Sequence, residues 1–98
     1  MKKRSDRWVV IATSSRPWLV ACGKIVDDDG NGRVTLAEAR CAVYFSQKTR
    51  SVFGCASIGP QEGSRVSGAC ERVAVRGVEL LIDATPAAVA AWKAEPWT

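Results

Sequence analysis

The sequence predicts an α+β fold: an antiparallel sheet of about five strands with a short central helix and a C-terminal helix. Three observations lead there. Runs rich in β-branched and aromatic residues dominate the first half of the chain, as in Trp8-Val-Val-Ile-Ala-Thr13. An Asp/Gly/Asn cluster, Asp28-Asp-Gly-Asn-Gly32, separates two apolar arms with turn chemistry. Near the end, Thr85-Pro86 opens an alanine-rich stretch that stops at Pro96, which is how a capped helix reads.

Taken in order, Arg7 to Thr13 is apolar on both faces and is expected as a central strand. Ser14-Ser-Arg-Pro17 turns the chain, because Pro17 cannot donate to a ladder. Trp18 to Val26 fits a helical face as well as a strand. Its Val20, Ile25 and Val26 prefer strands, and Gly23 would cost a helix about 1 kcal/mol. Asn31-Gly32 is a strong hairpin signal, after which Val34-Thr-Leu36 resumes the strand. Ala37-Glu-Ala39 is a place for a bulge, and Arg40 to Phe45 returns to alternation. Val52, Phe53 and Ala56 recur at helical spacing before Gly59-Pro60, giving a short helix over 50–58. Residues 61–68 read as a loop, and 70–75 and 78–82 as strands interrupted at Gly77. Ala87 to Glu95 forms the last helix, with Val89 and Trp92 turned to the sheet.

Ninety-eight residues hold one core and leave little for a deep cleft, so 1–98 is one domain with a basic tail over 1–6. The composition, 47% hydrophobic and 24% charged, is that of a folded rather than a disordered chain. The net charge of +4 is mild, and the tail Met1-Lys-Lys-Arg-Ser-Asp-Arg7 holds much of it. That tail admits weak nucleic-acid binding, although basic termini commonly only solubilise. No apolar run approaches the roughly 20 residues of a membrane span, and none reads as a signal peptide, so a cytoplasmic setting is expected. Cys22, Cys41, Cys55 and Cys70 lack Cys-x-x-Cys spacing and have no histidine to complete a zinc site. They are expected to be reduced and mostly buried.

Residues 27–38 also match the twelve-residue calcium loop of an EF-hand. Asp27, Asp29 and Asn31 take its first, third and fifth positions, Gly32 the sixth, and Glu38 the bidentate twelfth. Arg33 would offer its carbonyl and Thr35 would fill the ninth position. Against this stand the strand-forming flanks and the lack of a second loop. The hairpin is therefore favoured, with no cofactor, and calcium is the alternative.

Most of the chain resembles a family of small, uncharacterised proteins carried by phages and prophages. The resemblance rests on Trp8-Val-Val-Ile-Ala-Thr13, Cys22-Gly-Lys-Ile-Val26, Val34-Thr-Leu-Ala-Glu-Ala-Arg40 and Val43-Tyr-Phe-Ser46. It continues through Ala56-Ser-Ile-Gly-Pro60, Ser64-Arg-Val-Ser67 and Val78-Glu-Leu-Leu-Ile-Asp-Ala-Thr-Pro86. It implies a phage-associated origin and brings no transferable activity. This sequence departs from relatives in its additional cysteines and in Val43-Tyr-Phe45, where they are richer in tryptophan.

Histidine is absent, which removes the commonest general base, and no carboxylate or lysine pair stands at telling spacing. A non-enzymatic binding protein is expected. The candidate binding face comprises Arg16, Trp18, Arg40, Tyr44 and Arg65, because guanidinium groups beside aromatic rings hold carboxylates or phosphates. For each arginine the plainer reading is a solvated or edge-strand side chain. The expected partner is a host protein or a nucleotide signal, engaged by a homo-oligomer without membrane contact.

Overall fold

The chain is described over residues 7–13, 19–44, 49 and 51–95 by a computed structural model. Strand β1 (Trp8–Thr13) lies between β2 (Val20–Asp28) and β6 (Val78–Asp83), antiparallel to both. Its Val9, Val10 and Ile11 are wholly buried, as expected of a strand apolar on two faces. Strand β3 (Val34–Tyr44) pairs with β2 along one edge. Its other edge is shared by β5 (Cys70–Val75) and by the two-residue β4 (Arg65–Val66), which falls in the segment expected as loop. The result is an antiparallel sheet of six strands with helices α1 (Ser51–Ser57) and α2 (Pro86–Ala94), an α+β fold.

The sheet is curled by its connections. Strand β5 sits on β3 and β6 on β1, yet only Arg76 and Gly77 join them. In a flat sheet four strand spacings would separate them by roughly 19 Å. Three Cα steps from Val75 to Val78 reach at most about 11 Å. The two edges must therefore converge. Gly77 takes a positive φ of 75° in that link, and the Val78 amide then donates to the Gly32 carbonyl at 2.9 Å. The concave face buries Val9, Ile11, Ala21, Ile25, Val34, Leu36, Ala39 and Val75. On the opposite face Val10, Cys22 and Val66 pack with Cys55 and Ala56 of α1 and Ala88 and Trp92 of α2.

Residues 27–38 form strand, turn and strand, so the helix–loop–helix alternative is overturned. Asp27 and Asp28 end β2, Val34 begins β3, and Asp27 pairs with Thr35 across the ladder. The turn is wider than a two-residue Asn-Gly loop, with positive φ at Gly30 and Gly32. Asp29 closes it by accepting from the amides of Asn31 (2.7 Å) and Arg33 (3.1 Å). Glu38 lies far along β3 and pairs with Lys24 Nζ at 3.0 Å. The positions of the calcium motif thus fall on a hairpin tip, a ladder and an ion pair. Among the described residues no group of three or more His, Cys, Asp or Glu side chains is placed to hold a metal ion.

Glu38 also marks the bulge expected over 37–39. Its φ is 54°, and the ladder register shifts between Cys22 and Lys24. The bulge presses β3 onto Gly23, where a Cβ would stand 3.0 Å from Leu36 Cβ and 3.1 Å from the Ala37 carbonyl. Gly23 is a packing requirement of the kink.

Helix α2 begins with the Thr85 hydroxyl accepting from the Ala88 amide at 3.0 Å, and the same hydroxyl donates to the Ser57 carbonyl at 2.7 Å. It buries Ala88 and Trp92, whereas Val89, expected to face the sheet, is only half-buried. In α1 the inward residues are Cys55 and Ala56; Phe53, expected at the same helical face, is 66% exposed.

Candidate functional site

The groove beside Trp8 is built from both ends of the chain. Trp8 begins β1, and its carbonyl accepts from the Ala84 amide at 2.9 Å. The preceding Arg7 carbonyl accepts from the Ile25 amide at 2.9 Å, and Arg7 Nε meets Asp83 Oδ1 at 2.8 Å. Those contacts fix the indole between the end of β6 and helix α2. Together Trp8, Ala84, Pro86, Val89, Ala90 and Lys93 line an open groove of about 430 Å³, within the usual size range of small-ligand sites.

Two ammonium groups flank the indole. Lys93 Nζ lies 4.7 Å from the ring centroid and Lys24 Nζ 5.8 Å from it. Lys24 comes from the position directly opposite Trp8 on β2 and also holds Glu38. Lys93 comes from the last turn of α2, and its place depends on Arg40. The Arg40 guanidinium donates to the carbonyls of Trp92 (2.5 Å), Lys93 (3.3 Å) and Ser67 (2.7 Å). A cation on the carbonyl end of a helix is favourable both as a hydrogen-bond donor and against the helix dipole.

Arg40 therefore cross-links β3, the 67–69 segment and α2, and supports the groove from beneath. Tyr44 and Arg65 are brought together as register partners of β3 and β4, with Tyr44 56% exposed. Arg16 and Trp18 lie outside the described residues. The five residues of the candidate face thus separate into an internal clamp, an exposed pair and two positions not described. Sequence reasoning missed Trp8, Lys24 and Lys93. A signal existed: Lys24 interrupts an apolar arm that, once paired with the first strand, must face Trp8.

The groove combines an aromatic face, aliphatic walls and cationic charge, a set suited to holding a ligand. The buried thiols behind it are poorly suited to react as thiolates. Burial pushes Cys22 up to about 12 and Cys55 up to about 11, and the neighbouring Cys55 thiol raises Cys22 further. At the hairpin tip, the Asn31 and Arg33 amides hold the Asp29 carboxyl below its usual range.

Fold and site define a small α+β protein with a curled antiparallel sheet and a lysine-flanked tryptophan groove. The chain belongs to the family of the domain of unknown function DUF6948, which matches residues 6–92. No curated protein and no solved structure matches it. No helix among the described residues is long and apolar enough to cross a membrane.

Proposed function

We propose that the protein is a phage-associated, non-enzymatic binding protein that counteracts a host system by engaging a host protein or a nucleotide signal through the Trp8 groove. The observation that carries this reading is the indole held open to solvent between Lys24 and Lys93. Groups arranged in this way recognise rather than transform a ligand, and the chain has no histidine to serve as a proton shuttle. The phage association comes from the sequence resemblance and is an inference by analogy. Action in the host cytoplasm as a homo-oligomer belongs to the same reading.

The test is plating efficiency of a phage on host strains carrying individual active defence systems, with and without expression of the protein. Protection in one strain, lost with Ala90→Glu or Lys93→Glu while far-ultraviolet circular dichroism is unchanged, is the expected result. Both positions are exposed on α2, so neither change disturbs the core. Protection in no strain would sink the anti-defence reading. Undiminished protection by both variants would sink the groove as its site.

A further inference from the structure

The chemistry of the Trp8 groove specifies its ligand further. Its walls are aliphatic, from Ala84, Pro86, Val89 and Ala90, and among the described residues the only ionisable side chain in its lining is Lys93. Lys24 stands on the other side of the indole, already neutralised by Glu38 at 3.0 Å. Among the described residues the Trp8 indole N–H meets no acceptor. None of the wall side chains offers the amide or hydroxyl groups that read the edges of a nucleobase. An apolar side chain satisfies the walls, and a neighbouring carboxylate satisfies Lys93 and the indole N–H.

We infer that the groove binds an acidic peptide segment of a partner protein, with one apolar side chain seated between Trp8 and α2 and an adjacent carboxylate at Lys93. This rests on the reading of the groove as the binding site and chooses its protein alternative over the nucleotide one. Charge complementarity supports the choice. Lys93 and Lys24 are the charges placed at the indole, and lysine, a compact point charge, pairs with a single carboxylate without the planar fork that arginine presents to phosphate. The Glu38–Lys24 pair gives the site a second step, since a ligand carboxylate can displace Glu38 from Lys24 and draw that ammonium toward the groove mouth.

The experiment follows the indole N–H resonances of the isotopically labelled protein, in which Trp8 is one of four tryptophans. Probes are short acetylated peptides with leucine or phenylalanine flanked by glutamates, the same peptides with glutamine for glutamate or alanine for the apolar residue, and adenosine monophosphate. The glutamate peptides should shift the Trp8 resonance, and both altered sets should bind at least several-fold more weakly. Lys93→Gln should weaken binding by roughly fivefold, and added salt should erode it further. Glu38→Gln should strengthen it by freeing Lys24. Equal binding of the glutamine peptides, or tighter binding of the mononucleotide, would overturn the peptide assignment while leaving the groove as the site. A Trp8 resonance unmoved by every peptide would overturn it too. If Ala90→Glu still abolished protection against the host, only the ligand class would be at fault.

Discussion

Cys22, Cys55, Cys41 and Cys70 share one side-chain chemistry and occupy different solvents. Cys22 and Cys55 are 1% and 0% exposed and their thiols are raised to about 12 and about 11, against an ordinary 9.0. Cys41 is raised by partial burial, and Cys70 is exposed. A thiol whose pKa is higher in the folded state keeps its proton when the unfolded chain has lost it. The stabilisation from burying the neutral thiols is therefore complete below about 9. It falls as pH rises toward 12, and denaturant melts across that alkaline window should show a steady loss. A thiol-selective aromatic disulfide reagent at neutral pH should modify Cys70 first, and Cys22 and Cys55 only on unfolding. Rapid modification of Cys22 in the native protein would contradict its placement. The reduced, mostly buried cysteines expected from composition describe this only in part, because Cys70 alternates outward on β5 and composition carries no information about which way a residue faces.

Helix α2 was readable at its start, where Thr85-Pro86 announces the cap, and at Trp92, whose indole donates to the Cys55 carbonyl at 2.9 Å inside the core. Its far end was not. There the deciding residue is Arg40, 52 positions earlier in the chain, and nothing local links the two. The expectation of a binding arginine came from its neighbour Tyr44; the fold gives its guanidinium helix carbonyls instead. Arg40→Ala should destabilise the protein by about 1.5–3 kcal/mol, the range for hydrogen bonds to a charged donor, with Arg40→Lys recovering part of it. Urea denaturation measures both. A cost indistinguishable from zero would remove Arg40 as the clamp. Strand β4 escaped notice for a related reason: two residues carry no period, and only the edge of β3 makes Arg65–Val66 a strand. Phe53 shows the limit of helical spacing in a seven-residue helix, where about two turns do not distinguish the inward face.

At the scale of the molecule, the α+β class, the central first strand and the hairpin at 27–38 all followed from periodicity and turn chemistry. The curl did not. Gly77 reads as a break between strands, and local signals do not disclose that β5 and β6 belong to opposite edges of the sheet. Each of those strands is held by its own ladder, so the short link adds constraint without supplying the pairing. Doubling the link with a Gly-Ser insertion after Gly77 should cost about 0.6 kcal/mol, the loop-closure increment. Loss of cooperative unfolding in that variant would show that the link itself drives closure.

Strand β1 is synthesised well before β6, which completes its second edge. Until Asp83 has left the ribosome, a strand with an apolar centre at Val9, Val10 and Ile11 is paired on one side only. A nascent chain in that condition offers an adhesive edge to its neighbours. Closure of the sheet therefore waits for β6, and any fragment that ends before residue 78 should be recovered as an aggregate rather than as a smaller soluble domain.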